Sequence, residues 1–369
     1  MSQRSQAEIL EGFRQTISPD IGLDLGTANT VAYERTLGVI VSQPSVVAYN
    51  IDDDRIIAIG HAAKEIEGRA PRKIRVVRPL RRGTISDFHA AEALVSDTVN
   101  KALSVRPRLG PRVVASIPGC ATDIECKAVE QAVRLAGARW ATFVPQAIAA
   151  AVGAGLDITS VRPTMIVDIG GGTTEIGIVG LSGVLRLDSI QIGGDDFDRA
   201  IQARLRATNF VVGSATAEAL KIALGYAGRP PGRAPVTVRG SDMLLRGAPG
   251  SRKVDEELVG AAMRDWIERI LGAVCTVLEA TQPDAVGDLL ESGIVLTGGG
   301  ALIANLAGEI SIRTNVPTVV APDPLLCVAR GAGEILGSPS LLERVRPSAD
   351  KLTRWYQSLR IGMRESYSP

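Results

Sequence analysis

No sign of charge dominates this chain: 41 Lys and Arg stand against 40 Asp and Glu, a net charge of +1. A balance so close to neutral creates no global field for a polyanion, so no nucleic-acid partner is expected. Histidine is scarce, with only His61 and His89, and the four cysteines are Cys120, Cys126, Cys275 and Cys327. No C-x-x-C pair occurs and the histidines lie far apart, which argues against a zinc site. Scattered thiols fit a reducing compartment better than a disulfide scaffold. No apolar run reaches the ~18 residues that a membrane span needs. The opening MSQRSQAEILEGFRQTISPD is too polar for a signal peptide. The expected location is the cytoplasm.

What remains is ordinary globular composition: 369 residues, 45% apolar and 22% charged, enough for one or two substantial cores. Strand-like and helix-like segments alternate, which is the α/β pattern. Residues 21–25 and 30–34 read as strands joined by Gly26–Asn29, and 163–168 and 175–179 as strands around a glycine turn. Residues 293–297 read as a strand entering Gly298-Gly299-Gly300, with a helix after it. Helical stretches read at 87–103, 122–136, 200–207, 215–226 and 255–280. Thr122 with Glu125 three residues on has the spacing of a capping box. The Gly-, Pro- and Arg-rich segment 227–253 reads as the hairpin-bearing edge of a subdomain.

An internal repeat organises the rest. In both Ile21–Thr30 and Ile166–Thr174 an Asp ends an apolar strand, a Gly follows at +2 and a Thr at +6. These are Asp24, Gly26 and Thr30, then Asp168, Gly170 and Thr174. Self-similarity of this kind points to two related halves facing each other across a cleft. A tight turn of Gly and Thr aims successive backbone N–H groups outward, a nest for phosphate oxygens. An Asp at each strand end can hold the waters around Mg²⁺, which keeps most of its hydration shell. The turn Gly298–Gly300 offers bare backbone on which a flat nucleoside can lie. The expected ligand is therefore ATP or GTP with Mg²⁺.

The motifs DLGTANT, DIGGGTTE and LTGGGA, in that order, resemble those of MreB-type bacterial actins. QPSVVA (residues 43–48), RPL (78–80), GTISDF (83–88), AEALK (217–221) and DPLLCVARG (323–331) resemble further segments of the same family. The resemblance covers residues 20–336. It implies an actin-like ATPase fold: two duplicated halves with RNase H-like sheets, split into four subdomains around a nucleotide cleft. Subdomain IA would take 18–44, 78–160 and 320–369, with IB at 45–77. Subdomain IIA would take 161–195 and 258–319, with IIB at 196–257 and an N-terminal extension at 1–17.

The resemblance also implies roles. Gly26, Thr27, Ala28 and Asn29 would form phosphate loop one, and Gly170, Gly171, Gly172 and Thr173 loop two. Asp24 and Asp168 would organise Mg²⁺. Glu218 and Lys221 would contact the ribose and base side, and Gly298, Gly299 and Gly300 would pass under the nucleoside. Gln146, Asp168 and Thr173 are the residues expected to serve hydrolysis. Gln146 departs from the family, which usually has a Glu there. Gln can orient water but cannot act as a general base, which suits slow hydrolysis driven by positioning.

The family's members form filaments, often paired, on the inner face of the membrane. The expected partners are thus further copies of this chain and, through a terminal amphipathic helix, a membrane surface. Near the N-terminus Ile9, Leu10, Phe13 and Ile17 share a helical face. Near the C-terminus Leu352, Trp355, Tyr356, Leu359 and Met363 form a stripe beside Lys351, Arg354, Arg360 and Arg364. Docking of that helix on the protein itself or on a neighbouring subunit is the alternative. The loop 104–111 carries only Val105 and Leu109 as apolar anchors, against loop insertion into lipid. Other functions open to an actin fold are a monomeric chaperone-type ATPase and a small-molecule kinase. The chain lacks a large β-rich substrate domain for the first and shows no motif-matched base for the second.

Overall fold

The computed structural model describes residues 18–103, 109–119 and 121–345. The two terminal amphipathic segments, and residues 104–108 of the loop considered for lipid contact, lie outside the described residues.

Two five-stranded sheets carry the fold, and their ten strands are numbered here in chain order. The first sheet holds β1 (Asp20–Leu25), β2 (Asn29–Glu34), β3 (Gly38–Pro44), β4 (Arg112–Ile117) and β5 (Trp140–Pro145). The second holds β6 (Thr164–Ile169), β7 (Thr174–Gly180), β8 (Gly183–Ile190), β9 (Ile294–Thr297) and β10 (Thr318–Val320). The spatial order is β3-β2-β1-β4-β5 in one and β8-β7-β6-β9-β10 in the other. In both, the first three strands form an antiparallel meander and the last two add in parallel. The repeat read from the two Asp-tipped hairpins thus extends to whole sheets of one topology.

Each half also carries a three-stranded sheet inserted in its chain. One is made of Val47–Asn50, Ile56–Ile59 and Ile74–Val77. The other pairs Phe210–Val211 with the hairpin Val236–Asp242 and Ala248–Val254, inside the segment expected to bear one.

Several element ends follow local chemistry. The Asp87 carboxylate accepts the Ala90 N–H and caps the helix Phe88–Ala102. Thr122 and Glu125 form the reciprocal capping box at the helix Asp123–Leu135. The helix expected from Ala200 begins earlier, at Gly194. The Asp196 carboxylate accepts the Gly193 N–H at 3.0 Å, and Asp195 and Asp196 complement the helix's positive end. The helix expected directly after Gly300 is instead a 3₁₀ turn, Gly299–Leu302, and the α-helix Leu306–Thr314 starts only after the left-handed Asn305.

The halves share a core. One apolar cluster lies on the second sheet and another on the first, while a third draws Val114 and Val144 from the first sheet together with Ile166, Val179 and Val295 from the second. Between them run the helices Gln146–Gly153 and Cys327–Gly337. These touch backbone to backbone: a Cβ on Gly153 would sit 1.8 Å from the Cys327 carbonyl oxygen, and one on Gly331 1.8 Å from that of Ala149. The small residues Ala149, Ala150, Ala151 and Gly153 make that approach possible. Overpacking such a contact costs on the order of 3 kcal/mol. Gly331→Ala should lower the urea midpoint by a corresponding amount, while Gly287→Ala, at a position inside the helix Pro283–Ser292 with open space around it, should raise it slightly.

Candidate functional site

The two Asp-tipped hairpins meet face to face. Asp24, next to last in β1, and Asp168, next to last in β6, lie close enough for each carboxylate to feel the other. Asp168 is 2% exposed. Its Oδ1 accepts from Thr297 Oγ1 at 2.7 Å and its Oδ2 from Gln146 Nε2 at 2.6 Å. Asp24 Oδ1 accepts from Ser116 Oγ at 3.0 Å. Thr297 and Ser116 occupy the parallel neighbours β9 and β4, so each Asp is held by a hydroxyl from the equivalent strand of its own sheet. Sequence reasoning missed both. The signal available was a lone hydroxyl residue near the end of an otherwise apolar strand.

Burial first, and then the facing Asp168, push the Asp24 carboxyl up to about 7 against the pull of the Ser116 hydroxyl. Burial raises Asp168 as well, opposed by Thr297 and Gln146. A third carboxylate stands beside them. Glu175 is paired in register with Asp168, is fully buried, and accepts the Gly119 N–H through both oxygens at 3.0 and 3.1 Å. Burial lifts it to about 7, against the pull of Ser189 and the Gly119 N–H. Among the described residues neither Asp24 nor Asp168 makes an ion pair.

The two glycine-rich turns touch each other. A Cβ on Gly171 would lie 2.7 Å from that of Ala28, and one on Gly172 would lie 2.7 Å from the Arg82 nitrogen and 2.8 Å from Thr27 Oγ1. No side chain fits there, so bare backbone lines the cradle. Loop two is closed by the Gly170 N–H donating to the Thr173 carbonyl at 2.8 Å, and Thr173 is buried. Loop one is braced from outside: the Ser45 N–H donates to the Ala28 carbonyl at 2.9 Å, and its hydroxyl to that of Gly26 at 2.6 Å. The Gly83 N–H reaches Thr27 Oγ1 at 3.4 Å. Ser45 and Gly83 lie in segments that carry the family resemblance, but neither was expected among the site residues.

Loop two leads toward the residues expected on the nucleoside side. The Gly194 N–H donates to the Gly170 carbonyl and the Asp195 N–H to that of Gly171, at 3.0 and 2.8 Å. Lys221 Nζ bonds the Gly194 carbonyl at 3.2 Å and Asp198 at 3.0 Å. Burial raises the Asp198 carboxyl to about 6, although Lys221 pulls it down. Glu218 lies in the same helix, Ser214–Leu224. Burial would raise it, but the Lys64 hydrogen bond and charge hold it below the usual range. Gly298–Gly300 follow β9, whose Thr297 holds Asp168, so the third glycine turn starts where the second Asp is fixed. The expected residues of both loops, Asp24, Asp168 and Gln146 thus converge, with Glu218, Lys221 and the third turn attached through loop two and β9.

The residues present fit a hydrated divalent cation with a polyphosphate. Two mutually repelling carboxylates have only neutral donors, and bare N–H turns lie beside them.

The family model described as MreB/Mbl protein matches residues 18–344. The chain belongs to the MreB/Mbl family. The cell shape-determining protein MreB of Escherichia coli (strain K12) is 39% identical over 89% of this chain and 96% of its own length. MreB5 of Spiroplasma citri bound to ADP superposes with a TM-score of 0.82 at 32% identity, over 87% of this chain and 96% of that one. MamK in its double helical filament, at 23% identity, has the same fold, with a TM-score of 0.73 over 86% of this chain and 98% of its own. A bacterial actin-like cytoskeletal protein is therefore what the MreB/Mbl match and the fold describe, and the actin-like architecture expected from the motifs is present. Among the described residues no helix is long and apolar enough to cross a membrane.

The raised carboxyls carry a stability signature. Asp24 goes from 3.8 to about 7 and Glu175 from 4.5 to about 7. A raised carboxyl stabilises the fold fully below its unfolded value and loses that contribution as pH climbs through the folded one. The metal-free protein should therefore lose melting temperature from about pH 4 to about pH 8. Asp24→Asn should flatten part of that loss and melt higher than the parent at the alkaline end. Parallel melting profiles for the two proteins would show that Asp24 is not held near neutrality.

Proposed function

We propose that this chain binds Mg·ATP or Mg·GTP between its halves, hydrolyses it slowly and assembles into filaments. The facing pair Asp24 and Asp168, flanked by two touching glycine turns, carries this reading. MreB5 of Spiroplasma citri has been solved bound to ADP and to AMPPNP, and MamK as a double helical filament, which supports nucleotide binding and self-assembly here. Among relatives named for cell shape, shape determination or intracellular organisation is the corresponding role.

In this reading Gly26–Asn29 and Gly170–Thr173 donate backbone N–H groups to phosphate oxygens. Asp24 and Asp168 hold the water shell of Mg²⁺, which would neutralise phosphate charge. Glu218 and Lys221 face the ribose and base, and Gly298–Gly300 pass beneath the nucleoside. The four subdomains take the limits expected from the family. Attachment to the inner membrane surface would fall to the terminal segments.

Gln146 takes the positioning role. Its amide nitrogen is committed to Asp168, which leaves its carbonyl oxygen free to orient a water. A Glu at this place would set a further carboxylate against Asp168, so Gln quiets the charge pair while giving up general-base capacity. The attacking water then relies on orientation and electrostatics, consistent with slow turnover.

Sedimentation of the purified chain with Mg·ATP, Mg·ADP or EDTA, with phosphate release followed in the same tubes, tests the proposal. Pelleting that requires Mg·nucleotide, with filaments on electron-microscope grids, is the expected result. A nucleotide-bound protein that stays monomeric with or without lipid vesicles would favour the chaperone or kinase readings instead. Gln146→Ala should slow phosphate release about tenfold or more at nearly unchanged nucleotide affinity. Release at the parental rate would remove Gln146 from the mechanism.

A further inference from the structure

Among the described residues three ion pairs cross from one half to the other, and none uses a residue of the two glycine-rich loops. Lys64 lies in the helix His61–Ile66, beside the small sheet of the first half. Its Nζ reaches Glu218 Oε2, on the second half, at 2.8 Å. Arg78, just past the strand Ile74–Val77, meets Asp195 at 3.5 Å, and Arg82 meets Asp196 at 3.5 Å. One chain segment, 64–82, thus supplies every cation, and the acids come from the first turn of the helix Gly194–Ala207 and from the helix Ser214–Leu224.

Both sides are pre-organised. Glu67 accepts Arg78 Nε and Nη2 at 3.2 and 3.3 Å and lies 3.4 Å from Lys64 Nζ, tying the two cations into one unit. Asp196 is 1% exposed and is fixed by the Gly193 N–H and by Arg199, at 3.0 and 2.8 Å. Lys64 and Arg78 keep only 23% and 20% of their side-chain surface, so these contacts are less screened than ordinary surface pairs. The large sheets share a core through the helices Gln146–Gly153 and Cys327–Gly337, whereas among the described residues the two small sheets share no strand pairing.

We propose that Lys64, Arg78 and Arg82 form an electrostatic clasp with Glu218, Asp195 and Asp196 that holds the cleft shut, and that Lys64 is a positioning residue for Glu218. The helix pair acts as the joint and the three ion pairs as the fastening. Lys64 occupies one oxygen of Glu218 and, in the nucleotide reading, would leave the other for a sugar hydroxyl. What the clasp encloses rests on the nucleotide reading above; the clasp itself does not.

The test measures the distance between the small sheets in the nucleotide-free full chain. Spin labels are attached through keto-bearing amino acids placed at Asp53 and Leu244, both exposed, so the native cysteines stay untouched. Three proteins are compared with the parent: Lys64→Ala, Asp195→Arg, and Asp195→Arg combined with Arg78→Asp. Release of a fluorescent ATP analogue is timed in the same set, and thermal melts identify any variant that fails to fold. Each single variant should lengthen the distance and speed release about tenfold, a change of about 1.4 kcal/mol. The charge swap should return both toward the parent, and salt at about 1 M should lengthen the parent's distance. If Asp195→Arg does not fold, Lys64→Ala carries the comparison.

Distances that ignore both the variants and salt would overturn the clasp, even if nucleotide binds normally. A swap that folds but restores neither readout would overturn it too. Distances that respond in a protein that binds no nucleotide would uphold the clasp and refute the nucleotide reading.

Discussion

Two carboxylates that repel each other, Asp24 and Asp168, sit at the centre of the molecule, and much of the surrounding structure serves to hold them there. Every partner the structure gives them is a neutral donor: the hydroxyls of Ser116 and Thr297 and the amide of Gln146. Such donors fix orientation without cancelling charge. A Lys or Arg in their place would make a stable ion pair and close the site to a cation. The strand order of each sheet brings the required hydroxyl, because β4 lies beside β1 as β9 lies beside β6.

That arrangement works only if the two sheets keep a fixed relation at one edge and some freedom at another. The shared core with its backbone-close helices supplies the first, since the Gly153 and Gly331 contacts leave no room for sliding by even a methyl group. Partly exposed ion pairs supply the second, because charge contacts can separate and re-form without repacking apolar side chains.

Much of this was legible beforehand because backbone chemistry writes itself into composition. Asp24-x-Gly26 and Asp168-x-Gly170 declare two strand-ending turns, and the matched spacing declares the duplication. Thr122 with Glu125 declares a helix start. What stayed hidden depends on neighbours distant in the chain. Nothing local to Ser116 or Thr297 says that the adjacent strand ends in Asp. Nothing local to Lys64 says that Glu218 lies opposite, 154 residues later. Local reading also stumbled where a side chain overrode composition. The helix expected from Ala200 begins at Gly194, because the carboxylate of Asp196 satisfies the Gly193 N–H there.

The duplication is imperfect at one telling place. After β9 the second half has Gly298-Gly299-Gly300; after the equivalent β4 the first half has Pro118-Gly119, and the Gly119 N–H is already taken by Glu175. The Asp-tipped glycine turns of the two halves therefore match closely, while only the second half carries a run of three glycines beyond the neighbouring strand, with Gly299 exposed. A linear ligand with unlike ends, held as proposed, has a single way to lie in the cleft. The same asymmetry gives each subunit an inherent head and tail, so any assembly built by repeating one contact carries a direction along its length.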